Sequence, residues 1–181
     1  MKRSPVALVL ALAAILAGAS VSGKQPKAAA APVLVLETAK GVMEITLEPE
    51  SAPKSVEHVL ALAAKNFYRG LRFHWVQPGV VQFGDPATRD MTKQDSWGTG
   101  GSGKSVGVAE PSKRPFVRGS VGLAYRPTQR PTDADSQIFI LRYPNPSLNG
   151  KYAQIGHVTK GLDVLDKIAT ADVIRGFRLK Q

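Results

Sequence analysis

The chain has 181 residues, 43% of them apolar, with 24 Lys and Arg against 14 Asp and Glu for a formal net charge of +10, and it contains no cysteine. Without cysteine there is no disulfide framework, no thiolate metal site and no thiol nucleophile. The basic balance favours anionic surroundings, but the cations (Arg89, Lys93, Lys104, Lys113, Arg126 among them) are scattered. No aromatic-interleaved basic motif is present, so no nucleic acid partner is expected.

In chain order, Lys2 and Arg3 precede an apolar run from Val6 to Ala17, which ends in the small residues Ala17, Gly18 and Ala19. Charge, apolar core and small-residue exit are the parts of a secretory signal peptide, here residues 1–19 with cleavage after Ala19. The run is shorter than the roughly 20 apolar residues of a membrane span. Export is therefore expected, to a periplasm or else outside the cell, without stable membrane insertion after signal cleavage. Residues 20–32, rich in Ala, Lys and Pro, lack any periodicity that buries a face and read as a flexible leader. Residues 33–181 have the length of one domain with a full core.

Within that domain, Val33–Thr38 and Val42–Leu47 are β-rich runs around Ala39-Lys40-Gly41, and Met43, Ile45 and Leu47 alternate with Val42, Glu44 and Thr46, which predicts a hairpin with one buried face. A helix follows from Ser51, its candidate cap, with Pro53 in the first turn and Val56, Val59, Leu60 and Ala63 on one face. Short strands are predicted over Leu71–Val76 and Val80–Phe83, then a polar, Gly-rich loop from Asp85 to Lys104. Further strands are predicted at Gly119–Ala124, Ser136–Leu141, Tyr152–Val158 and Val173–Leu179, with a short helix around Leu162–Ile168. Pattern alone gives a mostly β antiparallel barrel or sandwich with helices packed on it.

One motif is misleading. Gly98-Thr99-Gly100-Gly101-Ser102-Gly103-Lys104-Ser105 matches the phosphate-loop pattern G-x-x-x-x-G-K-[ST]. That loop works when a buried strand delivers it and a helix starts directly after it. Here Arg89–Trp97 is too polar for a central strand, and Gly107, Pro111 and Pro115 interrupt any following helix. No nucleotide ligand is expected.

Three ordered blocks carry a family resemblance. Phe67-Tyr68-Arg69-Gly70-Leu71-Arg72-Phe73-His74-Trp75-Val76-Gln77-Pro78-Gly79-Val80-Val81-Gln82-Phe83-Gly84-Asp85-Pro86 is similar to F-Y-x-G-x-x-F-H-R-x-x-P-G-F-x-x-Q-x-G-D-P of the cyclophilins. Gly119–Ala124 followed by Ser136-Gln137-Ile138-Phe139-Ile140 resembles their G-x-x-x-M-A and S-Q-F-F-I, and Leu148-Asn149-Gly150-Lys151-Tyr152 resembles L-D-G-[KR]-[HY]. The resemblance runs from Val33 to the end. It implies a closed eight-stranded antiparallel barrel capped by two α-helices, and peptidyl-prolyl cis-trans isomerase activity without metal or cofactor on proline-containing polypeptides, here folding exported proteins. Carried over by position, Val81, Phe139, Leu148 and Tyr152 line a cup for the proline ring, Gln82 hydrogen-bonds the substrate backbone, and Ala124, Tyr125 and Gln137 bound the groove for the preceding residues.

The chain departs from the family at its catalytic arginine, which is Trp75 here, and in having two residues, Val80 and Val81, between Gly79 and Gln82 where the family has three. An indole N–H donates one neutral hydrogen bond and lacks the guanidinium fork. Arg72 lies an odd number of residues from Trp75 and faces the other way in a strand; Arg126 is the residue placed to reach across the groove. Trp75 therefore leaves two functions open, a prolyl isomerase and a non-catalytic binder or chaperone for proline peptides. His58, His74 and His157 share no metal-ligand spacing, and His74 reads as a hydrogen-bonded core histidine.

Overall fold

Alternating apolar residues make the first hairpin. The computed structural model describes residues 30–181; the expected signal peptide and the leader up to residue 29 lie outside them. Strands β1 (Val33–Thr38) and β2 (Gly41–Leu47) pair antiparallel, with Met43, Ile45 and Leu47 buried. Helix α1 (Pro53–Ala64) then turns Val56, Val59 and Ala63 into the interior. Its N-cap is Ala52, without a side-chain bond, so Ser51 does not cap it. The free amides of the first turn are met from far along the chain: the Glu110 carboxylate accepts from Lys54 N at 2.9 Å and Ser55 N at 2.8 Å. A carboxylate there satisfies orphan donors and opposes the positive end of the helix dipole.

Strands β3 (Trp75–Gln77) and β4 (Val80–Phe83) form a hairpin around Pro78-Gly79. The expected strand over Leu71–Val76 is broken: Arg72 makes only an isolated bridge to Val173, and its guanidinium turns away to the carbonyl of Thr88 at 2.9 Å. Two 3-10 turns, Pro86–Arg89 and Met91–Ser96, occupy the expected loop, each started by an aspartate (Asp85, Asp90) whose side chain accepts a backbone N–H two residues on. There follow β5 (Ser120–Leu123), β6 (Ile138–Leu141), β7 (Ala153–Lys160), α2 (Leu162–Lys167) and β8 (Ile174–Leu179).

The eight strands make one curled antiparallel sheet in the order β3-β4-β6-β5-β7-β2-β1-β8. Its interior is packed by aliphatic residues and by an aromatic group in which Tyr68 and Phe177 meet edge to face at 4.8 Å and Phe73 and Phe83 at 5.2 Å. Helix α1 lies against β7 and β8, and α2 against β2. No helix among the described residues is long and apolar enough to cross a membrane.

Candidate active site

On the outer face of β4, β5 and β6 lies a cavity of about 700 Å³. Its floor follows from strand register: Phe139 of β6 is opposite Gln82 of β4 on one side and Gly122 of β5 on the other. A Cβ on Gly122 would collide with the Phe139 ring, so the missing side chain is what lets the ring lie down over β5. Phe139, Phe116, Leu141 and Ala124 form a small apolar cluster separate from the interior, with Val80, Leu148 and Tyr152 packed half-exposed against it. Tyr152 meets Phe139 edge to face at 5.5 Å and stacks on Tyr125 at 4.6 Å. The result is a cup with aromatic walls, open to solvent.

Of the residues expected at the site, Trp75, Gln82, Ala124, Tyr125, Gln137, Phe139, Leu148 and Tyr152 all line this cavity. Val81 does not. It is fully buried in the interior opposite Ile140, and Val80 lines the cavity instead. Successive strand side chains point to opposite faces, so Val80 and Gln82 share the outer face while Val81 and Phe83 share the inner one.

Beside the cup, the two glutamines are locked. Gln137 Nε2 donates to the carbonyls of Gly98 at 2.9 Å and Gly100 at 2.7 Å. Two carbonyl acceptors fix that atom as nitrogen, so Gln137 Oε1 faces Gln82 and accepts from Gln82 Nε2 at 2.7 Å. This leaves the Gln82 carbonyl oxygen and its second N–H for a ligand, one acceptor and one donor of known orientation.

The Gly-rich loop forms the opposite wall, and three of its glycine amides are already in use. Gly98 N and Gly100 N donate to the buried Asp85 carboxylate at 2.7 and 3.1 Å, and Gly103 N donates to Asp135 at 3.0 Å. A Cβ at Gly100 or Gly101 would strike those same carboxylates. After Lys104 the chain stays irregular up to β5. The loop is thus folded around two side-chain anions, not shaped as a phosphate cradle at a helix start.

Ionisable groups bracket the cavity. Burial pushes the Asp135 carboxyl up, but hydrogen bonds from His58, Ser102 and Gly103 outweigh it and hold the group below its ordinary value. His74 lines the cavity against Gly98, and its buried Nδ1 has no hydrogen-bond partner among the described residues. Burial lowers its pKa, against the opposing pull of Asp85 and of a hydrogen bond with the Gln137 side chain. Trp75, 48% exposed, stands at the rim on β3 directly across from Gln82. Trp97 lines the same side and donates Nε1–H to the Asp90 carbonyl at 3.2 Å. Val80, Leu141, Gly122 and Trp97 were missed from sequence; strand alternation held the signal for the first two.

Comparison with known proteins agrees with this geometry. The family model described as cyclophilin type peptidyl-prolyl cis-trans isomerase/CLD matches residues 33–181. A protein of Brucella suis named probable peptidyl-prolyl cis-trans isomerase is 41% identical over 165 residues, covering 88% of this chain and 83% of that one. Peptidyl-prolyl cis-trans isomerase B of Bacillus subtilis is 34% identical over 139 residues, 76% of this chain and 90% of that one. Among solved structures, a cyclophilin type isomerase of Cryptosporidium parvum superposes with a TM-score of 0.71 at 22% identity, over 83% of this chain and 98% of that one. A structure of the same protein in the presence of the dipeptide Ala-Pro gives 0.69, also at 22% identity, over 82% and 99% of the two chains.

Proposed function

Because the chain belongs to the cyclophilin-type peptidyl-prolyl cis-trans isomerases, we propose that this cavity receives an Xaa-Pro segment of a folding polypeptide, seats the proline ring in the Phe139–Leu148–Tyr152 cup and lowers the barrier to rotation about the preceding amide. That barrier is about 20 kcal/mol because the C–N bond has partial double-bond character. A catalyst must bind the twisted amide better than either planar form. The orientation of Gln82 carries this reading: its free carbonyl and N–H sit beside the cup and can hold the peptide backbone while the prolyl amide turns. Trp75 supplies at most one neutral donor where relatives of the cyclophilin pattern present a charged arginine.

The test is a cis/trans exchange measurement on an Xaa-Pro peptide without a coupled protease. The native chain should exceed the uncatalysed rate, and Trp75→Arg should raise kcat/KM about tenfold, the gain of a charged over a neutral hydrogen bond. Exchange at the uncatalysed rate, at concentrations where the peptide binds, would favour the second reading, a proline-peptide binder, for which the exposed Trp75 is the supporting observation.

Two finer readings accompany this one. The sheet is read as a closed barrel, supported by hydrogen bonds between the stretch preceding β3 and the first residue of β8, from Gly70 N to Ile174 O and from Ile174 N to Leu71 O, both 2.8 Å. The protein is also read as exported to the periplasm, supported by Lys2, Arg3 and the apolar run to Ala17. Fractionation with N-terminal sequencing of the mature protein tests the latter, with Ser20 expected as the first residue.

A further inference from the structure

The cavity is not apolar throughout. Besides the residues of the cup, its walls include a polar compartment of Gly101, Gly103, Arg126, Gln129, Asp133 and Asp135. Its two acids are occupied. Asp133 pairs with Arg130 at 3.0 Å, and Asp135 is held by His58 at 3.1 Å together with Ser102 and the Gly103 amide. Arg126 is exposed, and among the described residues its guanidinium makes no ion pair and no hydrogen bond; only its backbone is engaged, its N–H donating to the Gln129 side chain and its carbonyl accepting from Gln129 N. The carboxylate oxygens of both acids are thus taken up by hydrogen bonds, and Arg126 is the charged group of this wall whose hydrogen-bonding atoms are free among the described residues.

An extended peptide repeats its side-chain direction every second residue, about 7 Å along the chain. With a proline ring in the cup, the side chain pointing the same way on the N-terminal side belongs to the residue two before the proline. We propose that Arg126 is a specificity-determining residue that selects substrates with an acidic side chain, Asp or Glu, two positions before the proline. A carboxylate there meets a planar five-donor fork that can hold it with two parallel hydrogen bonds, whereas a lysine meets a like charge. The inference rests on the proline-in-cup reading, and its direction follows from the free guanidinium of Arg126, since the oxygens of the neighbouring acids already accept hydrogen bonds from within the chain.

The experiment uses three tetrapeptides, Glu-Ala-Pro-Phe, Ala-Ala-Pro-Phe and Lys-Ala-Pro-Phe with blocked termini, against the full mature chain. Isomerisation is followed by exchange, and binding by tryptophan fluorescence, since the chain's two tryptophans, Trp75 and Trp97, both line the cavity. In low salt the Glu peptide should exceed the Lys peptide by about fivefold in both kcat/KM and affinity, the scale of a partly exposed ion pair against its repulsive counterpart, and the ratio should shrink as salt is raised. Arg126→Ala should bring the ratio to within about twofold and Arg126→Glu should invert it. A native ratio near one, or a ratio that survives Arg126→Ala, overturns the proposal. So does an equal loss of isomerisation on all three peptides in Arg126→Ala, which would make Arg126 part of the rotation step. If no peptide is isomerised at all, the catalytic reading fails by itself, and the fluorescence ranking still decides the charge preference.

Discussion

Strand β4 serves two apolar clusters at once. Val81 and Phe83 enter the interior, where Tyr68, Phe73, Phe83 and Phe177 are all 3% exposed or less and interlock edge to face. Val80 and Gln82 point the other way, into a cluster built with the same aromatic geometry around Phe139 and Tyr152. The interior is finished by the chain itself, with α1 laid over part of it. On the outer face no element among the described residues covers Leu148, Tyr152 and Val80, which stay half-exposed. Apolar packing with one layer missing is a binding surface, because a ligand's apolar ring recovers the burial the fold leaves unrealised.

Substitutions of matched chemistry break this comparison most directly. Phe83→Ala should lower the unfolding free energy by about 3–5 kcal/mol through loss of packing and a residual cavity. Leu148→Ala should cost less than about 1.5 kcal/mol, since Leu148 is only half-buried, yet weaken peptide binding markedly. Urea denaturation alongside fluorescence titration measures both, and equal stability losses would show the two clusters to be one core. Gly122→Ala sharpens the contrast at an intermediate size: the new methyl must displace the Phe139 ring toward the cup. The expected cost is about 1–3 kcal/mol, with a loss of peptide affinity out of proportion to it.

The smallest effect expected is from pH, and its sign differs between the two regions. His74 at the cavity wall titrates below its ordinary value of 6.5 because burial disfavours its charged form. The unfolded chain thus binds more protons there, and the contribution is whole above about pH 6.5 and lost as pH falls through the folded value. Asp135 adds a second acid loss, from its unfolded value near pH 4 down through its lower folded one. In the interior, burial raises the Tyr68 hydroxyl well above 10.0. Its contribution is whole below about pH 10 and lost as pH rises beyond it. Hydrogen exchange should therefore report acid loosening first in the loop from Asp85 to Lys104 and alkaline loosening in the sheet; the reverse order would refute the assignment.

How far these features were legible depends on how local their causes are. Strands β1, β2 and β4 follow from alternation within a few residues, and the identity of most cup residues followed from ordered blocks at matching positions. Val81 was misplaced because one residue fewer before Gln82 shifts the register, and a shift of one flips every side chain to the other face. Ser51 looked like a cap, while the groups that meet the first turn of α1 come from Glu110, some fifty residues later, a partner no local pattern announces. The 3-10 turns were hidden for the opposite reason: Asp85 and Asp90 build them by side-chain bonds so short in range that the stretch reads only as polar loop. Gly122 gave no signal at all, since its role is an absence that matters only once β6 is beside it.

The Gly-rich wall has a consequence for how a ligand would be received. The amides of Gly98, Gly100 and Gly103 are satisfied by Asp85 and Asp135 and the carbonyls of Gly98 and Gly100 hold Gln137, so much of the stretch that spells an anion-binding loop is its own occupant. A wall anchored in this way is assembled before any peptide arrives, and the entropy of ordering it is lost on folding and not again on binding. A peptide would need only to straighten itself against a surface that is already set.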